Sequence, residues 1–297
     1  MTRNGKMVAV EFRSGVVGPA LRGVARLALS VLLAGGVAAA ASAETTLEKI
    51  KRTGKTTVGT EAAFPPFEFI EDGKIVGYGK DILDYVVADM GIELNQLDLP
   101  WQGILPGVLA GKFDFVATSV SVRPERVTKY AFTVPIAEAT TWTMKRAGDD
   151  AIASVDDIAG KVVGTQLASA GEGASKEFEA ALKAKGMSGF KELKLFTSYP
   201  ETYLALANGE IDIVVQSLPN LAVVVKEQPG VFELVGAIGK LSYMGWVTRP
   251  EDTDLRDHLS AKILEMRDSG KLYALQDKWF GFRMSIPDKG YLPDGAI

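Results

Sequence analysis

From about residue 55 onward the chain alternates short apolar runs with longer segments whose apolar residues recur every three to four positions. Short strands and amphipathic helices therefore follow one another. Residues 56–60 read as a strand. Residues 80–90 set Ile82, Leu83, Val86, Val87 and Met90 on one helical face, and Gly91 supplies the stop. A second strand and helix surround residues 99–109, with Trp101 at the start of the helical segment. Strands that alternate with helices predict an α/β fold with mostly parallel sheets.

One phrase occurs twice. Gly111-Lys112-Phe113-Asp114 leads into an apolar run that ends on Thr118-Ser119. Ninety-eight residues later Gly209-Glu210-Ile211-Asp212 leads into another that ends on Gln216-Ser217, again behind a helical segment, residues 201–208. A glycine turn into a buried strand is common by itself, but the matching placement divides the chain into two similar halves. Ligands of open α/β sheets bind beyond the carboxyl ends of the strands, so Thr118, Ser119, Gln216 and Ser217 are expected to face a shared crevice.

The richest stretch is residues 117–126. Three hydroxyls, Thr118, Ser119 and Ser121, sit at a strand end; Pro124 suits the first turn of a helix, and Arg126 follows within that turn. Helix-leading amides and a guanidinium together make a carboxylate clamp. An isolated arginine is more often a solvated surface residue, and Arg123 is the better candidate for that role. Phe64, in a proline-stiffened loop after the first strand, and Trp101 offer planar walls for the apolar part of a ligand or a seat for a cation; ordinary core packing is the competing role for both.

The amino terminus changes the picture of where this happens. Arg13, Arg22 and Arg26 precede an apolar, alanine-rich run over residues 27–41, too short to span a bilayer, and Ala41-Ser42-Ala43 is an A-x-A cleavage site. Residues 1–43 are thus expected to be a signal peptide. They hold five basic residues and one acidic one, so without them the formal charge moves from −4 to −8, which argues against a nucleic-acid partner. The sequence has no cysteine and one histidine, which excludes disulfides, thiolate metal sites and a lipid-bearing cysteine and leaves no cofactor or metal expected. A soluble protein of the periplasm is the expectation.

These residues resemble the polar amino-acid-binding proteins of ABC importers, the extracellular solute-binding family 3. The likeness is carried by the phrase Val58-Gly59-Thr60-Glu61-Ala62-Ala63-Phe64-Pro65-Pro66-Phe67-Glu68-Phe69, by Gly77-Tyr78-Gly79-Lys80-Asp81-Ile82, by residues 114–126 and 204–212, by Arg267-Asp268-Ser269-Gly270-Lys271-Leu272 and by Lys278-Trp279-Phe280-Gly281. It implies a two-lobed type II periplasmic-binding fold, each lobe a mostly parallel sheet flanked by helices, joined by two crossover hinge segments. Lobe 1 would hold residues 44–138 and 244–297, and lobe 2 residues 139–243. The resemblance also implies that Phe64 and Trp101 wall the pocket, that Thr118, Ser119 and Ser121 bond the ligand, and that Arg126 holds its carboxylate together with the turn at Ser169. The partners it implies are a small amino-acid-like carboxylate and the membrane permease of an ABC transporter, with the binding protein itself a monomer.

Three positions depart from the family's pattern. Ser217 stands where an acid usually holds the ligand's ammonium, which leaves either Glu61 to take over or a ligand without an ordinary ammonium. Ala170 replaces a common hydroxyl, and Gly79 a frequent acid. The alternative class is an enzyme on the same fold, since cyclohexadienyl and arogenate dehydratases are also similar; they need a protonating acid at the position of Ser217, and serine has no suitable pKa. His258, in a charged helical segment, reads as solvated. A sensor domain would call for a following membrane helix and signalling module, which the sequence to Ile297 does not supply.

Overall fold

The computed structural model describes residues 44–297; the expected signal peptide lies outside them. Helix α1 (Thr46–Thr53) is closed by a Thr45/Glu48 capping box and ends on Gly54 in the left-handed region. Strand β1 (Lys55–Thr60) follows, then a small antiparallel sheet of β2 (Ala63–Phe64), β3 (Glu68–Glu71) and β4 (Lys74–Val76). Helix α2 (Tyr78–Met90) buries Ile82, Leu83, Val86 and Val87 as its periodicity requires. It begins two residues before the expected start, because the Tyr78 ring is buried and its hydroxyl donates to the Ile136 carbonyl at 2.6 Å.

Strand β5 (Glu93–Asp98), helix α3 (Trp101–Leu109), strand β6 (Phe115–Ser121), the single turn α4 (Pro124–Val127) and the short strands β7 (Ala131–Phe132) and β8 (Ala137–Glu138) complete the first passage. The chain then enters a second sheet: β9 (Thr141–Arg146), β10 (Val162–Gln166), α5 (Ala170–Ala184), β11 (Glu192–Phe196), α6 (Tyr199–Ala207), β12 (Ile213–Ser217), α7 (Leu218–Glu227) and β13 (Phe232–Ala237). It returns to the first sheet through β14 (Tyr243–Thr248) and finishes in α8 (Thr253–Asp268) and α9 (Lys271–Trp279). Among the described residues no helix is long and apolar enough to cross a membrane.

The two sheets share one plan. In the first the order is β5-β1-β6-β14-β7, with β8 also paired to β14; in the second it is β11-β10-β12-β9-β13. In each, three parallel strands are followed by an antiparallel one supplied by the other end of the chain's excursion. This is the two-lobed type II fold, with the chain crossing between sheets twice.

The repeated aspartates explain why the repeated phrase exists. Asp114 accepts the Thr57 amide at 2.8 Å while its own amide donates to the Thr57 carbonyl. Asp212 does the same with Val162, at 2.9 and 2.8 Å. Each aspartate closes a turn onto the neighbouring strand and fixes where the following strand starts, and so where its far end emerges. The phrase is a structural bracket; its functional consequence lies four and five residues past each aspartate, at Thr118-Ser119 and Gln216-Ser217.

Candidate functional site

Five strand ends converge on one cavity with about 440 Å³ of atom-free space, counting its open mouth. The loop after β1 contributes Glu61 and Phe64, α3 contributes Trp101, and β6 contributes Thr118, Ser119 and Ser121. Arg126 comes from α4, Ser169 from the residue before α5, and Gln216 and Ser217 from the end of β12. All ten residues expected at a site line this single space.

Arg126 is 7% exposed. Its guanidinium donates to the Ser121 carbonyl at 3.1 Å and the Ala168 carbonyl at 3.2 Å, and its carbon lies 5.2 Å from the centre of the Trp101 ring. Glu125 is close in sequence, but its carboxylate goes to Arg123 at 2.6 Å. Among the described residues no carboxylate hydrogen-bonds to Arg126, and burial pulls its pKa down to about 10. A buried cation that meets only neutral carbonyls and a ring face is under-compensated. Trp101 does sit against a cation, but the cation is the protein's own.

Two expectations about this corner need correction. The helix that carries Arg126 is a single turn whose first amides are already spent: the Arg126 and Val127 amides donate to the Arg123 carbonyl. The leading amides available to an anion belong instead to α5, where Ala170 and Gly171 line the cavity beside the Ser169 cap. Arg123 is not a solvated residue either, since it joins Glu125 to Glu177 of α5, both at 2.6 Å. His258, also expected in solvent, is half-buried in α8 with its Nε2 shielded and unpartnered.

Gly171 is required by the close approach of α5 to the second sheet. A Cβ there would lie 2.3 Å from Thr165 Oγ1 and 2.8 Å from the Val215 carbonyl. Gly171→Ala is expected to lose roughly 1–3 kcal/mol of stability in chemical denaturation, the usual cost of overpacking.

The same cavity is lined by an acid. Glu61 is 5% exposed and accepts from Gln166 Nε2 at 2.5 Å; burial pushes its carboxyl up to about 7, against the Gln166 hydrogen bond and with help from Asp98. Behind Thr118 and Ser119 lies a second, fully buried acid, Glu68, raised by burial to about 8. Phe64 stacks on Phe67 at 5.5 Å and faces Tyr199 at 5.7 Å. Gln216 accepts from the Tyr203 hydroxyl, while its Nε2 is buried without a partner.

Gln166, Tyr199 and Thr141 also line the cavity and were not expected there. Two of them had a signal. Gln166 ends β10, so the strand-end rule that singled out Ser119 applies to it as well. Tyr199 follows Trp101 by 98 positions, the spacing of the repeated phrase, and each aromatic opens the helix before its copy. Thr141 opens β9, which returns antiparallel and carries no such mark.

Comparison with known proteins agrees with this architecture. A family profile described as bacterial extracellular solute-binding proteins, family 3, matches residues 56–282. The L-cystine-binding protein TcyJ of Escherichia coli is 28% identical over 264 residues, covering 88% of this chain and 95% of that protein. Among solved structures, an ancestral arginine-binding protein bound to arginine has a TM-score of 0.69 at 30% identity, covering 77% of this chain and 99% of the other. An ancestral amino acid-binding protein that is a precursor of cyclohexadienyl dehydratase also has a TM-score of 0.69, at 26% identity, over 80% and 99% of the two chains.

Proposed function

The chain belongs to the bacterial extracellular solute-binding proteins of family 3, and from that premise we propose that it captures an amino acid, or a close relative carrying a carboxylate and a cationic group, for an ABC importer. The observation that supports this most directly is charge. Arg126 and Glu61 line the same cavity, both almost fully buried, and neither has an ionic partner in hydrogen-bond reach among the described residues. Buried charges left in this state are costly unless a ligand completes them. A zwitterion does so at both ends.

In this proposal Arg126, the amides leading α5 and Ser169 hold the carboxylate. Glu61 supplies negative charge for a cationic group, and Phe64, Trp101 and Tyr199 cover the apolar part. Residues 44–138 and 244–297 move as one lobe and residues 139–243 as the other, about the two crossovers; a ligand touching both favours the closed state. Residues 1–43 direct the protein to the periplasm and are removed, and a permease of the importer receives the closed form.

Titration of the purified protein with the standard amino acids and L-cystine tests this. At 100 times Kd, a true ligand contributes about 2.7 kcal/mol and raises the Tm by roughly 5–10 °C. No shift with any of them, together with silent calorimetry, rejects the proposal. One observation favours a second possibility: a carboxyl with a pKa near 7, as Glu61 has, suits proton donation to a leaving group. Incubation with prephenate or arogenate decides it, since a binding protein returns both unchanged.

A further inference from the structure

Three of the cavity's hydroxyls have their hydrogen-bonding direction set from behind. Glu68 in β3 is fully buried, and its two carboxyl oxygens accept from Thr118 Oγ1 and Ser119 Oγ, each at 3.2 Å. It reaches them because Gly79, in the first turn of α2, has no side chain: a Cβ there would lie 1.8 Å from Glu68 Oε1. The unexplained glycine in the sequence is therefore the space that an acid on β3 occupies. Asn220, in α7, donates from Nδ2 to the Pro65 carbonyl at 2.7 Å. That contact turns its Oδ1 toward Ser217, with which it hydrogen-bonds. An amide has one acceptor end, so Ser217 is the donor in this pair.

Each of these hydroxyls owns one proton, and with Glu68 ionised each proton is directed inward. What a ligand in the cavity meets is lone pairs. Resting on the amino-acid reading of the cavity, we propose that Glu68 and Asn220 are positioning residues that make Thr118, Ser119 and Ser217 act as acceptors only, so that three oriented hydroxyls hold the ligand's ammonium beside the charge that Glu61 supplies. An ammonium has three donors and no acceptor, which such a set matches; a hydroxyl or a second carboxylate at the same place would find few protons to accept. Further negative charge lies one layer back. Burial, reinforced by the charge of Glu61, favours the protonated form of Glu68 in the empty site. An arriving ammonium favours the carboxylate, so binding at neutral pH releases a proton to solvent.

The test compares the purified protein with Glu68→Gln and Asn220→Ala by calorimetry. Each is titrated with the twenty standard L-amino acids and L-cystine, and then with the analogue of the tightest binder in which the α-ammonium is replaced by hydrogen. The unsubstituted protein is expected to prefer the ammonium-bearing compound by about 100-fold. In Glu68→Gln the amide's NH2 end turns one hydroxyl proton back into the cavity. The preference should then fall by about tenfold or more while affinity for the analogue holds, and proton release, read from two buffers of different ionisation heat, should decrease. Asn220→Ala frees only the Ser217 hydroxyl and should erode the same ratio, which keeps the test intact if Glu68→Gln does not fold. An unchanged ratio in either folded variant, or an equal loss for both compounds, overturns the proposal. If the unsubstituted protein binds none of the amino acids, the amino-acid reading fails first and this proposal with it.

Discussion

Replacing Arg126 by alanine is expected to weaken amino-acid binding by roughly 30-fold to several thousand-fold, the 2–5 kcal/mol typical when one partner of a buried charge pair is truncated. In the empty site the guanidinium is held by two backbone carbonyls and the Trp101 face. These fix its direction without neutralising it. A ligand carboxylate would therefore meet a cation already oriented and desolvated, and the affinity comes from completing it. Arg126→Lys keeps the charge but gives up the planar fork that can both hold the Ser121 and Ala168 carbonyls and meet a carboxylate, so it should recover only part of the loss. Calorimetry on both variants checks this. Unchanged affinity in Arg126→Ala would remove the clamp from the mechanism.

Arg126 could be found in the sequence because everything that positions it is local. A strand-end run of hydroxyls, a proline two residues earlier and one helical turn are all within ten residues. The same holds for Phe64 and Trp101, and for the alternation that gave the two-sheet plan. Glu68 could not be found this way. In Phe67-Glu68-Phe69 it reads as an alternating edge strand with its acid toward water, and its burial depends on a missing side chain eleven residues on and on hydroxyls fifty residues on. Arg123 failed for the same reason, since Glu177, 54 residues away, takes it out of solvent. Ser217 could be located as the end of a strand, but its partner Asn220 and the direction of that bond depend on Pro65, 155 residues away from Asn220. Local pattern located the residues that end strands; it could not give the direction in which their protons point, because distant carboxyl and amide groups decide it.

Glu61→Gln is expected to act in opposite directions on binding and on the stability of the empty protein. The carboxyl's ordinary value is 4.5, and burial raises it to about 7 in the folded chain. A raised folded value means that the native state holds the proton more tightly than the unfolded one. The stability it contributes is therefore fully present below about pH 4.5 and is lost as pH rises through 7. Above that, the ionised and unpaired carboxylate costs roughly 3 kcal/mol relative to the protonated group. Glutamine carries no such charge, so at pH 8 the ligand-free variant should melt higher than the unsubstituted protein, with the gap closing below pH 5. Affinity for a ligand bearing a cationic group should move the other way. It should drop by about 30-fold or more, and its rise between pH 5 and 8 should flatten to what Glu68 alone provides. Melting curves and titrations at matched pH separate the two effects. If the variant lost stability at pH 8 and kept its affinity, Glu61 would be a packing residue, and the negative end of the cavity would have to be sought elsewhere.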